Sequence, residues 1–147
     1  LAEVERAMAP NMKNKGIRLV CKSEQKRVVL EPDLVKSLLY NLVDNASKAM
    51  DNGGIIAVRA TAIPGGCQFQ VVDNGRGMEK AELAKITEAF YRVDKARSRS
   101  QGGAGLGLAL CKQIVELHSG NISFASEPGK GTRVTVTLYG KAGSTDE

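Results

Sequence analysis

Val4, Ala7, Met8 and Met12 recur at helical spacing and predict a short amphipathic helix from Ala2 to about Met12. Two β-prone runs follow, Ile17 to Lys22 and Arg27 to Leu30, and the polar Ser23-Glu24-Gln25 between them predicts a turn joining a strand pair. Glu31-Pro32-Asp33 then opens a helix, with proline in the first turn where its missing N–H costs nothing. Leu34, Val35, Leu38, Leu39, Leu42, Val43, Ala46 and Met50 give that helix one broad apolar face, and Asp51-Asn52-Gly53-Gly54 ends it.

Ile55 to Ala62 and Cys67 to Asp73 are rich in β-formers, and Pro64-Gly65-Gly66 between them predicts an antiparallel hairpin. A short helix is expected from Glu79 to about Ile86. From Thr87 to Gly105 the periodicity fades, and a span of that length in a compact domain reads as a functional lid or a disordered segment. Leu106 to Leu117 is helical again and closes at Ser119-Gly120. Asn121 to Ser126 and Thr132 to Tyr139 alternate around Glu127-Pro128-Gly129-Lys130-Gly131, a final hairpin. Because strands come in hairpin pairs and not as single βαβ units, the expected fold class is α+β, a mixed sheet covered by helices on one face. Residues 1–140 read as one domain and 141–147 as a polar, flexible tail.

The length of 147 residues suits one core, and no apolar run is long enough to span a bilayer, so a soluble chain is expected. Leu1 follows no initiator methionine or signal pattern, so the chain reads as a piece of a longer protein. Cys21, Cys67 and Cys111 are scattered within apolar stretches, which argues against a disulfide framework or zinc site and fits a reducing cytoplasm. The net charge of +5 is spread along the chain, with one cluster at Arg92, Lys95, Arg97 and Arg99, and aromatics make up only 4%. With so little to stack on bases, nucleic acid is not the expected partner.

Asn41, Asn45 and Lys48 fall along one edge of the second helix, placing a carboxamide at the margin of the core. Such asparagines commonly serve neighbouring backbone. The alternative is that Asn45 offers an amide oxygen to Mg²⁺, a hard cation often held by one or two protein oxygens plus phosphates, with Lys48 reaching a phosphate. Asp73-Asn74-Gly75-Arg76-Gly77 ends an apolar strand, where a carboxylate must find donors or face a ligand. A second glycine cluster, Gly102-Gly103-Ala104-Gly105-Leu106-Gly107-Leu108, runs into a helix whose first amides suit an anion. It is neither a Walker A loop nor a dinucleotide fingerprint.

Taken in order, Asn41-x-x-x-Asn45-x-x-Lys48, Asp73-x-Gly75-x-Gly77, Phe90-Tyr91-Arg92 and Gly103-x-Gly105-x-Gly107 resemble the N, G1, F and G2 boxes of the histidine-kinase catalytic domain, within the GHKL superfamily. The resemblance covers about Leu1 to Tyr139, and Gly129-Lys130-Gly131-Thr132 resembles the family's closing hairpin. It implies the Bergerat two-layer α/β sandwich with ATP and Mg²⁺ under a mobile lid. It further implies that Asp73 accepts from the adenine amino group, Gly75 and Gly77 let the backbone approach the base, and Asn45 holds Mg²⁺. Asn41 would help position the metal or phosphates; Lys48, Arg92 and Arg97 would contact the phosphates; Gly103, Gly105, Leu106 and Gly107 would close over them. Ala104 stands where relatives often carry a hydroxyl residue.

The sole histidine, His118, falls at a helix end, where such residues bond terminal carbonyls, and no phosphoacceptor pattern precedes the domain. The resemblance therefore implies phosphoryl transfer to a histidine on a separate dimerisation domain, with a response regulator as that domain's partner. The isolated chain is expected to be monomeric and cytoplasmic, to make no direct membrane contact, and not to phosphorylate itself. A non-catalytic nucleotide-gated binding module, or an anti-sigma-type serine kinase of the same superfamily, is the alternative.

Overall fold

The computed structural model describes residues 2–23, 30–48, 50, 53–91 and 103–140. In chain order these form α1 (Ala2–Asn14), β1 (Ile17–Ser23), α2 (Pro32–Lys48), β2 (Gly54–Ile63), β3 (Gly66–Asp73), α3 (Lys80–Tyr91), α4 (Gly103–Leu117), β4 (Asn121–Glu127) and β5 (Gly131–Tyr139). The five strands make one mixed sheet in the order β1-β2-β3-β5-β4. Its inner face supplies Leu19, Ile56, Val58, Val71, Val136 and Leu138 to the core. Leu38, Leu39, Leu42 and Val43 of α2 and Cys111 and Ile114 of α4 meet them there. Alternation along each strand, with Ile56 and Val58 buried beside exposed Ile55 and Arg59, is what confines the helices to one side. The α+β layering follows the sequence expectation.

Four details differ from that expectation. β1 pairs with β2 in parallel, Ile17 opposite Gly54, so β1-α2-β2 is a βαβ unit and not half of a local hairpin. Leu30 is not in a strand, and residues 27–29 of the expected partner lie outside the described residues. α3 continues through Tyr91, beyond Ile86, and α4 begins at Gly103, before Leu106. Both ends of the expected Thr87–Gly105 lid are therefore helical, and its interior, with Arg92 and Arg97, lies outside the described residues, as does the 141–147 tail. Lastly, α2 ends at Lys48, and Met50 is buried just beyond it.

Among the described residues none of Cys21, Cys67 and Cys111 is in a disulfide, and burial pushes Cys21 up to about 11 and Cys111 up to about 12, far from the reactive thiolate. No helix among the described residues is long and apolar enough to cross a membrane.

Candidate functional site

A cavity of about 430 Å³ opens between the C-terminal half of α2 and the end of the sheet where β3 and β5 meet. Its volume falls in the range of small-molecule sites. Leu42, Asn45 and Ala46 share one face of α2, so the helix presents apolar wall and a carboxamide together, with Lys48 further along. Val71, Ile122, Phe124 and Val134 come from the sheet, Met78 from the loop after β3, and Ile86 and Cys111 from α3 and α4. The result is a largely apolar slot with few polar groups.

Asp73 is the polar group at its floor. As the last residue of β3 it faces inward and is only 5% exposed. Burial raises its pKa above the ordinary carboxylate value; the N–H groups of Gly75 and Thr132, which donate to it, pull the other way. The Gly75 bond spans 2.8 Å. Thr132 sits opposite Asp73 in the β3–β5 register, lines the cavity, and shares a 2.8 Å hydroxyl contact with Ser126. The floor is thus a buried acceptor beside a hydroxyl on an apolar bed, suited to a flat base with an exocyclic amino donor.

Asn45 is exposed at the cavity rim, and Lys48 lies beside it with Nζ 3.2 Å from the Asp44 carboxylate. That pair is solvent-exposed, so it holds the lysine weakly and leaves it free to turn to a phosphate. Asn41, one turn earlier, does not line the cavity; its Nδ2 donates to the Ser37 carbonyl at 2.8 Å, the local role asparagines commonly take in a helix. Among the described residues no three His, Cys, Asp or Glu side chains cluster to hold a metal. A hard cation at this rim would take the Asn45 amide oxygen and complete its shell from phosphate and water, which the single amide fits.

Gly77 has φ +71°, and a Cβ there would run into the Glu127 carbonyl. Packing against the β4–β5 turn thus requires a bare residue here, in addition to the expected approach to a base. Gly103, Gly105 and Gly107, with Leu106, fall in the first turns of α4. Thr132 and Arg76, expected only as members of their motifs, and Met78 line the cavity without having been expected as site residues. For Thr132 the signal was available in the Gly-Lys-Gly-Thr hairpin, but only its pairing across the sheet brings it to Asp73.

His118 is buried, with Nδ1 2.8 Å from the Ile114 carbonyl and Nε2 accepting the Glu31 N–H at 3.3 Å. The ring therefore carries its proton on Nδ1 and ties the end of α4 to the start of α2, in the structural role expected. With both nitrogens engaged, it offers no lone pair to a phosphorus. We expect labelled ATP to leave no acid-labile phosphate on His118, and His118→Ala to cost roughly 2–3 kcal/mol in urea denaturation while sparing ATP affinity. Label on His118, or a silent alanine substitution, contradicts this reading.

Residues 30–141 match the family described as histidine kinase-, DNA gyrase B-, and HSP90-like ATPase. The sensor-like histidine kinase SenX3 of Mycolicibacterium smegmatis is 38% identical over 112 residues, covering 76% of this chain and 29% of that protein. The sensor histidine kinase WalK of Bacillus subtilis is 38% identical over 122 residues, covering 82% of this chain and 20% of that protein. Full-length ShkA in complex with AMPPNP superposes with a TM-score of 0.75 at 26% identity, covering 96% of this chain and 29% of that one. The chain thus spans less than a third of the length of these relatives.

Proposed function

This chain belongs to the family of histidine kinase-, DNA gyrase B-, and HSP90-like ATPases, and from that premise we propose that it is the catalytic part of a sensor histidine kinase. In this reading it binds ATP with Mg²⁺ and passes the γ-phosphoryl group to a histidine on the kinase's own dimerisation domain, which then serves a response regulator. The observation that carries the reading is the cavity itself: a buried acceptor, Asp73, at its apolar floor, and Asn45 with Lys48 at its rim. That order, base acceptor within and amide and cation without, matches a nucleotide lying with its phosphates toward α2. The structurally similar ShkA was solved in complex with AMPPNP, which supports an adenine nucleotide as the ligand.

Asp73 would fix the adenine edge, and the apolar walls would exclude water from the ring faces. Asn45 would supply one oxygen to Mg²⁺, whose charge offsets that of the phosphates during transfer. Lys48 would exchange Asp44 for a phosphate oxygen, and the family resemblance would add Arg92, Arg97, Gly103, Gly105, Leu106 and Gly107 to the phosphate-binding set. Asn41 reaches that set only by leaving its bond to Ser37. In the transfer the bond between the γ-phosphorus and its bridging oxygen breaks, a bond to an imidazole nitrogen forms, and ADP leaves. Positioning and charge neutralisation are what that reaction chiefly asks of the protein.

The test supplies the parent kinase's histidine-bearing domain in trans with labelled ATP. Acid-labile label on that domain is expected, and Asn45→Ala should lower it at least tenfold without unfolding the chain. Alkali-labile, acid-stable label would point instead to a hydroxyl acceptor. Transfer at the wild-type rate by Asn45→Ala would make Asn45 structural.

A further inference from the structure

The helices cover one face of the sheet; the other carries a charge pattern that the nucleotide site does not use. The outward positions include Arg18, Val20 and Lys22 on β1, Ile55, Ala57 and Arg59 on β2, and Val72 and Arg133 on β3 and β5, beside the uncharged polar Gln70 and Thr135. Register puts Val20, Ala57, Val72 and Arg133 in one row and sets Lys22 directly opposite Arg59. Arg18, Lys22, Arg59 and Arg133 are all exposed, and none forms an ion pair among the described residues. On this face the described strands place one carboxylate, Glu127 at the end of an edge strand, and it is matched by Lys130 at 3.6 Å. Like charges directly opposed across strands destabilise a sheet, so nothing in the fold itself accounts for Lys22 beside Arg59.

We propose that this face docks an acidic amphipathic helix of a partner protein. The floor is Ile55, 44% exposed, Val72, 38% exposed, and Ala57, which lies on β2 opposite Val72. Arg18 and Lys22 stand on the β1 side and Arg133 on the β5 side. From β1 to β5 is three strand spacings, about 14 Å, which admits a helix of about 10–12 Å diameter lying along β2 and β3. An apolar stripe flanked by carboxylates would then bury its stripe on the floor and pair one flank with Arg18, Lys22 and the neighbouring Arg59 and the other with Arg133. Nucleic acid and bilayer fit less well, because the only aromatic side chain the described strands place outward is Tyr139, at the far end of β5. The site lies on the face opposite the nucleotide cavity and stands whether or not the chain is a kinase.

The probe is a synthetic twenty-residue helix with a Leu/Ala stripe flanked by glutamates, titrated into the whole chain by NMR. A glutamine-flanked counterpart and phosphatidylglycerol vesicles serve as the other arms. Shifts should map to the amides of Val20, Ala57, Val72 and Arg133. Affinity should fall at least tenfold when the peptide's glutamates become glutamines, and by a similar factor in the triple variant Lys22→Gln, Arg59→Gln, Arg133→Gln. The triple variant should melt at or above the parent temperature and bind ATP as before, which separates lost docking from lost folding and from the nucleotide site. No binding, equal binding of the glutamine peptide, shifts elsewhere, or binding of vesicles alone overturns the proposal.

Discussion

Asp73→Asn should weaken ATP binding roughly a hundredfold by calorimetry, the largest loss expected from any single change in the cavity. The carboxylate is buried at the floor and accepts the N–H groups of Gly75 and Thr132. An asparagine can keep the Gly75 bond through its oxygen, but its –NH₂ then presents a donor where the adenine amino group presents another. GTP should likewise bind the unaltered chain roughly a hundredfold more weakly than ATP, because guanine sets a carbonyl oxygen against the carboxylate. Equal affinities for the two nucleotides would remove Asp73 from the base-reading role.

The same residue carries a stability signature of opposite sign. Burial raises the Asp73 pKa in the folded chain above its unfolded value. Between those two values the folded state binds more protons than the unfolded state, so stability from this group falls as pH rises through that window and the penalty persists at neutral pH. Asp73→Asn should abolish that acid-side gain. A substitution that removes ligand binding while flattening the acid limb of the stability profile would mark a carboxylate kept for function at the fold's expense. An unchanged profile would mean that the two N–H donors fully offset its burial.

Most of the α2 contribution to the site was legible in the sequence because helical spacing is local. Asn45 and Lys48 follow from the apolar face they border, and Asp73 follows from ending an apolar strand. What spacing could not show is pairing at a distance. β1 was read as half of a local hairpin, yet Ile17 lies opposite Gly54, a choice made by the core and not by any turn. Thr132 came to Asp73 in the same way, across a register linking residues far apart in the chain. The ends of the expected lid differ for another reason. Gly103, Gly105 and Gly107 have poor intrinsic helix propensity, and Thr87 to Tyr91 is too short a span to show a period, but both segments are helical in their tertiary setting.

Gly77 illustrates how a site residue can be legible by type while the fold supplies a reason for it that spacing does not show. Its φ of +71° is left-handed, and a Cβ would meet the Glu127 carbonyl, which is backbone and has no rotamer to yield. Around it the loop is sewn to the β4–β5 turn, Gly129 N–H donating to the Arg76 carbonyl at 2.7 Å and Met78 N–H to Ser126 Oγ at 2.9 Å. Arg76 and Met78 also line the cavity, so the seam sets part of its wall. Gly77→Ala should therefore cost about 3 kcal/mol, roughly 1 from the left-handed backbone and the rest from forcing the seam apart, with at least a tenfold loss of ATP affinity as the wall shifts. Gly129→Ala is the control, because its φ is +79° but no atom lies within 4 Å of a Cβ there. It should cost about 1 kcal/mol and leave ATP binding unchanged. Urea denaturation and calorimetry on the two variants divide strain from collision. If they prove equally stable, the seam does not hold the cavity wall, and a loss of ATP affinity in Gly77→Ala alone would then mean that the glycine is there for the nucleotide.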